Sequence, residues 1–142
     1  MLADSHCHLD RVDLAPFDNQ FDRMIEAATE KGVTHFLCVA INAENQHEVL
    51  EIAERYPNIH ASVGIHPLYT KGETASIKSI AKFAKHPKVV AIGETGLDYF
   101  YDKESKEQQK SLFRTHVQAA VEVKLPLIIH TRDAREDTLT IL

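Results

Sequence analysis

The sequence predicts an α/β protein in which a parallel sheet is built from repeated strand–helix units. Five short apolar runs alternate with five segments whose apolar residues recur at helical intervals. Several of these runs are continuously apolar, which is typical of strands covered on both faces. Each unit occupies roughly 30 residues, the size of a strand–helix–strand crossover. The pattern therefore favours a parallel sheet with helical connections.

Two architectures fit this pattern, an open doubly wound sheet and a (β/α)₈ TIM barrel. A complete barrel takes about 250 residues, so the 142 residues here would supply about five of eight units and leave the barrel incomplete. We find no repeat, low-complexity tract or linker. We therefore expect residues 1–142 to form a single domain, a truncated (β/α) barrel.

The first two units are predicted from apolar strands followed by amphipathic segments. The opening Leu2–His8 is predicted as a strand, and Phe17–Lys31 carries one apolar face at helical spacing. Gly32 stands where a helix commonly ends. The run Val33–Ile41 is rich in residues that favour strands, and Glu44–Arg55 again has helical periodicity.

The third and fourth units repeat the order. The apolar run Ile59–Ile65 predicts the third strand, and Ala75–Lys85 predicts a helix that presents one apolar face. The fourth strand, Val89–Gly93, is continuously apolar. The longest helix is predicted over Glu104–Val123.

The fifth unit begins with the strand Leu125–His130. Asp133 is followed three residues later by Glu136, a spacing typical of the first turn of a helix. The sequence therefore predicts a fifth helix that starts at Asp133.

Composition narrows the class of protein and its partners. The chain is 44% hydrophobic and 26% charged, as in soluble globular proteins. Its net charge is −5, which disfavours broad non-specific binding to nucleic acid but allows a phosphate-bearing substrate that is bound locally. The two cysteines, Cys7 and Cys38, form no disulfide pattern. We found neither a secretion signal nor an apolar run of membrane-spanning length, and we expect a cytoplasmic protein without a membrane partner.

Four of the five predicted strands end in histidines or carboxylates. These residues are His6, His8, His66, Glu94 and His130. In parallel α/β folds the chemistry lies at the carboxyl ends of the strands. His6 and His8 point to the same face of a strand because successive side chains alternate, which leaves Cys7 pointing away.

This constellation predicts a metal-dependent hydrolase with Glu94 at its centre. His6, His8 and Glu94 would hold one divalent ion, and Glu94 would bridge to a second ion that also takes His130. Imidazole and carboxylate ligands suit Zn, Mn, Fe or Ni, with Mg also compatible. Two such ions can activate water and stabilise a phosphoryl-transfer transition state.

Other polar residues have both a functional and a structural interpretation. His66 precedes a proline and fits either a turn or a substrate contact. Asp98 is either a polar loop residue or a substrate-side group. Arg132 is either a surface residue or a clamp for phosphate or carboxylate. A partner is required for Glu94, because a lone charge that ends an apolar run is costly to bury.

Four segments together resemble a known family: Asp4–Leu9, Val63–Pro67, Ala91–Tyr99 and Pro126–Arg132. In these segments, and over essentially its whole length, the sequence is similar to the TatD family of metal-dependent deoxyribonucleases. The resemblance implies a TIM-barrel hydrolase with two metal ions that cleaves DNA phosphodiester bonds, as a 3′-end exonuclease. It also implies metal ligands at His6, His8, Glu94 and His130, with His66 and Arg132 near the substrate.

The sequence departs from the family pattern in one respect. A further histidine ligand after the sixth strand and an aspartate near the eighth have no counterpart here. We therefore expect this chain alone to be weakly active or inactive. Three interpretations remain: a fragment of a longer enzyme, a short form that oligomerises to cover its open sheet, and a non-catalytic metal-binding module. Amidohydrolases use similar ligands on C–N bonds and remain an alternative activity.

Overall fold

A computed structural model describes residues 1–70 and 75–142 of the chain. It contains five strands, each followed by an α-helix, in strict alternation. The strands are β1 Leu2–Cys7, β2 Val33–Cys38, β3 Ile59–Val63, β4 Val89–Asp98 and β5 Leu127–Arg132. The helices are α1 Phe21–Glu30, α2 Asn45–Arg55, α3 Ile77–Ala84, α4 Lys106–Val123 and α5 Arg135–Ile141.

The order of the strands decides between the two expected architectures. All neighbouring strands are parallel, and the order in the sheet is β1-β2-β3-β4-β5. A doubly wound sheet reverses its order at a switch point, and this sheet has none. Successive right-handed crossovers in one direction place every helix on the same face. The sheet curls into half of a barrel, so the predicted barrel type with five of eight units is confirmed.

The core lies between the sheet and its helices. Its most completely buried apolar side chains include Val39, Val49, Ile59, Ile92, Leu97 and Phe113. The concave face is open, and Leu37, His60 and Val90 line a hollow of about 250 Å³ on it. Within the described ranges, no helix is both long and apolar enough to cross a membrane.

All five helices begin later than the sequence predicts, and two of these starts have a local structural reason. The helix predicted from Phe17 begins instead at Phe21, because the preceding residues form a short 3₁₀ turn that Asp18 ends in a left-handed conformation. The fifth helix does not begin with Asp133 as its cap. Ala134 holds the cap position without a side-chain hydrogen bond, and Asp133 has a φ of 54°.

Two of the strands that carry the site end later than the sequence predicts. Strand β4 continues five residues beyond Gly93, and β5 ends two residues later than predicted, at Arg132. The two strands stay paired up to Asp98 opposite Arg132. The polar residues predicted to follow a strand therefore belong to it, which fixes their direction by strand alternation. Strand β2 is shorter than predicted and ends at Cys38.

Candidate metal centre

The predicted site residues converge at the carboxyl edge of the sheet. His6 lies in β1 and His8 directly after it, and His66 follows β3. Glu94 lies in β4 and His130 in β5. Parallel strands bring their carboxyl ends to one edge, and four separate stretches of sequence meet there for that reason.

Glu94 lies at the centre of this cluster, and its two carboxylate oxygens face different histidines. Its Oε2 is 3.2 Å from Nε2 of His6, and its Oε1 is 3.3 Å from Nδ1 of His130. Nε2 of His66 is 3.9 Å from the same Oε1. Glu94 is only 8% exposed. A carboxylate in so dry a position requires a compensating positive charge.

Two overlapping groups of potential ligands result. One consists of His6, His8 and Glu94, and the other of His66, Glu94 and His130. Within each group the ligand atoms lie within 4.8 Å of one another. Glu94 is common to both, so each of its oxygens can serve a different ion. Nitrogen and carboxylate donors in this ratio fit Zn, Mn, Fe or Ni, and the residues present therefore suit divalent ions.

Backbone and carboxylate partners orient two of the histidines. Nδ1 of His8 donates to the carbonyl oxygen of Val39 at 2.9 Å. Nε2 of His130 donates to Oδ2 of Asp98, also at 2.9 Å. Each bond takes one ring nitrogen and leaves the other, Nε2 of His8 and Nδ1 of His130, with a lone pair for a metal ion. Nδ1 of His130 and the Glu94 oxygen are then two facing acceptors, an arrangement that a cation between them stabilises.

Asp98 lies behind His130. Its side chain is 1% exposed, and its Oδ1 accepts hydrogen bonds from the backbone N–H groups of Phe100 at 3.0 Å and Tyr101 at 2.9 Å. Burial by itself would raise the pKa of Asp98, but these bonds and the one from His130 hold the pKa below its ordinary value. Asp98 is thus an ionised carboxylate bound to His130. The sequence contains one sign of this role for Asp98, which is that it follows Glu94 by four residues. That spacing places both side chains on one face of an extended β4.

His66 differs from the other histidines in its protonation. Its Nδ1 accepts a hydrogen bond from the backbone N–H of Leu68 at 3.2 Å, so the proton of the neutral ring lies on Nε2. Burial lowers the pKa of His66 to about 4, against the opposing charge of Glu94. The ring is therefore neutral at pH 7 and directs an N–H donor towards Glu94. This geometry suits a donor to a bound anion better than a metal ligand.

Close approach of β4 and β5 depends on Gly96. It pairs with His130 across the sheet, and its φ is +141°. A Cβ atom at this position would overlap the carbonyl oxygen of His130. Glycine is thus required for the spacing that brings His130 to Glu94.

Arg132 does not contact Glu94 in this arrangement. Its guanidinium carbon lies 4.0 Å from the ring centroid of Phe100 and 4.6 Å from that of Tyr101. Sequence reasoning did not single out these two aromatic residues, although they directly follow the Glu94 segment. Cys7 belongs to neither ligand group, and its Sγ is directed at the carbonyl oxygen of Leu37.

Comparisons with known proteins place this geometry in a family. The TatD related DNase family matches residues 3–142. The chain is 40% identical over 146 residues to the uncharacterized metal-dependent hydrolase YabD of Bacillus subtilis, covering 100% of this chain and 55% of that protein. It is 33% identical to the 3′-5′ ssDNA/RNA exonuclease TatD of Salmonella typhimurium, covering 89% of this chain and 49% of that protein.

Solved structures agree with the sequence relatives. YjjV, a TatD homologue from Escherichia coli K12, superimposes with a TM-score of 0.83 at 28% identity, over 97% of this chain and 53% of that chain. A TatD family hydrolase from Entamoeba histolytica gives 0.78 at 25% identity, over 98% and 52%. The chain spans about half the length of the curated relatives it matches. By the match over residues 3–142, the chain belongs to the TatD-related DNase family.

Proposed function

We propose that this chain carries the Glu94-centred part of a metal-dependent phosphodiesterase that removes nucleotides from single-stranded DNA. One observation carries the proposal: the two oxygens of a single buried carboxylate face two separate sets of histidines. Such a carboxylate is suited to bridge two divalent ions, which would activate water and neutralise charge on a phosphoryl group.

The residues of the chain have distinct tasks in this proposal. His6 and His8 would hold one ion with Glu94, and His130 would hold the other. Asp98 fixes the ring of His130, so that its Nδ1 stays directed at the centre. His66 is a neutral N–H donor that can hydrogen-bond a phosphoryl oxygen beside Glu94.

Two further observations support DNA as the substrate class. The family is described as TatD related DNase, and one relative is named as a 3′-5′ ssDNA/RNA exonuclease. Because the net charge is −5, the surface as a whole does not attract phosphate, and a substrate phosphate must be bound by positive charge at the site itself. A metal centre and Arg132 can provide that charge. We expect slow turnover by these 142 residues, which span about half the length of the curated relatives.

A nuclease assay tests the proposal. The 142-residue chain is incubated with a 5′-labelled single-stranded oligodeoxynucleotide and Mn²⁺, at high protein concentration. We expect slow shortening from the 3′ end that is abolished by EDTA and by Glu94→Ala. Glu122→Ala, which changes an exposed glutamate on α4, is the matched control and retains activity.

Two results would overturn the proposal. One is shortening that persists in Glu94→Ala or in EDTA. The other is Mn²⁺-dependent cleavage of amide or lactone substrates by a chain that leaves DNA intact, which would identify an amidohydrolase instead.

A further inference from the structure

An exposed aromatic cluster lies beside the metal centre and has no part in ligand binding. It consists of Phe100, Tyr101 and Arg132, hereafter the aromatic platform. The two rings meet edge to face with centroids 4.8 Å apart, and the guanidinium group lies over both. Phe100 is 50% exposed and Tyr101 is 64% exposed. Two consecutive large aromatic side chains therefore present apolar surface to solvent.

The platform is held in place although it is exposed. Backbone N–H groups of Phe100 and Tyr101 both donate to Oδ1 of Asp98. Cation–π contact with Arg132 restrains the rings from the side of β5. Among the described residues Arg132 makes no ion pair, so its N–H edges are not occupied by a carboxylate.

One carboxylate connects the platform to the metal centre. Asp98 accepts the platform's backbone N–H groups on Oδ1, and it accepts Nε2–H of His130 on Oδ2 at 2.9 Å. His130 in turn faces Glu94 at 3.3 Å. The platform thus keeps a fixed position relative to the place where a phosphate would bind.

We infer that the aromatic platform stacks a nucleobase of single-stranded DNA next to the phosphodiester at Glu94, with Arg132 donating to a flanking phosphate. Aromatic rings and arginine planes are the surfaces on which single-stranded nucleic acids stack. A duplex base is not available for such stacking, so the platform selects single strands. Every base has a π-face, and we therefore expect little sequence preference. The inference rests on the proposed function and adds to it a specificity-determining surface.

A tryptophan reporter tests the stacking directly. The chain has no tryptophan, so Tyr101→Trp introduces a single reporter into the platform. Val121→Trp, at a 74% exposed position on α4, is the matched control. The probes are a short oligodeoxythymidylate and an abasic oligomer of the same length, each titrated in Ca²⁺ buffer. We expect only the oligodeoxythymidylate to quench the fluorescence of the Tyr101→Trp variant, and neither probe to quench that of the Val121→Trp variant.

Equal quenching by the abasic oligomer, or no quenching at all, would overturn the inference. A second variant provides an independent check. Phe100→Ala combined with Tyr101→Ala should weaken binding of fluorescently labelled oligodeoxythymidylate by about 5- to 150-fold. Binding of the abasic oligomer should be unchanged. An unchanged affinity for oligodeoxythymidylate, with a native circular dichroism spectrum, would contradict the inference.

The two proposals fail separately. Base-dependent quenching without metal-dependent release of nucleotides would contradict the proposed nuclease activity and support base stacking on the platform. Release that proceeds equally well in the double-alanine variant and on duplex DNA would contradict base stacking and support the nuclease activity. The double-alanine variant can also change in self-association and keep its affinity for oligodeoxythymidylate. That result would identify the platform as a protein contact and overturn the inference.

Discussion

At the scale of single residues, the candidate ligands could be predicted from the sequence because each lies near the carboxyl end of a predicted strand. His6, Glu94 and His130 belong to three different strands, and parallel strands bring their carboxyl ends together. The hydrogen bond from His130 to Asp98 could not be read in this way. It requires Asp98 to share a face with Glu94, which holds only if the strand continues through two glycines. The tautomer of His66 could not be predicted either, because it follows from the hydrogen bond that the backbone N–H of Leu68 donates to Nδ1.

The bond between Asp98 and His130 leads to a prediction about metal affinity. Asp98→Asn removes the ionised acceptor from Nε2 of His130 but keeps an oxygen for the N–H groups of the aromatic platform. Loss of such an outer partner typically costs about 10–100-fold in metal affinity. In calorimetric Mn²⁺ titrations we expect one of two binding events to weaken by that factor. Equal weakening of both events would contradict separate sites on either side of Glu94.

At the scale of elements, β4 positions most of the site. It carries Glu94, Gly96 and Asp98, and it pairs with β5 from Thr95 to Asp98 after a register shift between Ile92 and Thr95. The sequence prediction ended the strand at Gly93 because the continuous apolar run stops there. The structure shows why glycine is there: Gly93 and Gly96 both have positive φ, and both lie too close to β5 for a side chain. The deviation from a regular strand pattern thus coincides with the site.

The tight pairing of β4 with β5 predicts an unequal effect of two alanine substitutions. Gly96→Ala adds a Cβ that overlaps the carbonyl oxygen of His130 at a φ of +141°, and we expect a loss of about 3 kcal/mol in the free energy of unfolding. Gly32→Ala is the matched control, because its φ is +90° but no heavy atom lies within 4 Å. Its expected cost is about 1–2 kcal/mol. Equal losses in urea denaturation would refute the role assigned to Gly96.

A buried histidine connects α4 to the loop that carries His66. Nε2 of His116 accepts the backbone N–H of Ile65 at 3.1 Å, and its Nδ1 donates to the carbonyl oxygen of Leu112 at 2.8 Å. Burial lowers the pKa of His116 below its ordinary value. Below about pH 6.5 the unfolded chain therefore binds a proton at His116 that the folded chain does not bind.

The expected consequence is a pH-dependent stability of the metal-free chain. Its free energy of unfolding should fall as the pH is lowered through about 6.5 and below. His116→Gln keeps an acceptor for Ile65 and should reduce this dependence, measured by urea denaturation at several pH values. His35→Gln, at an exposed position, serves as the control. An unchanged pH dependence in His116→Gln would show that another group is responsible.

At the scale of the whole molecule, the number and order of units were predictable from periodicity, and the curvature was not. Apolar runs of strand length and helices of matching size specify five βα units. Such units form an open or a closed sheet depending on the direction of each crossover. Hydrophobic periodicity does not reveal that direction. The consecutive strand order leaves β1 and β5 as edges and the concave face open. Exposed edges and apolar faces favour association.

We therefore propose that the chain forms a dimer or a larger assembly through its open face. Light scattering should give a mass above the 16.0 kDa of one chain at micromolar concentration. Val90→Lys, on the concave face, should shift the assembly towards monomer, because it places a charge in the contact. Val121→Lys, on the exposed side of α4, should not. A monodisperse 16.0 kDa wild-type species across the concentration range would contradict the proposal.

The central claim is that the carboxylate of Glu94 joins two metal ions in one site, and a calorimetric Mn²⁺ titration tests it most directly. The wild-type chain is predicted to bind two ions. Glu94→Gln, which keeps size but removes charge, should weaken both by more than about 100-fold, beyond the cost of losing an outer partner. Glu122→Gln should bind like the wild type. A wild-type chain that binds one ion, or a Glu94→Gln chain that still binds two with unchanged affinity, would contradict the account.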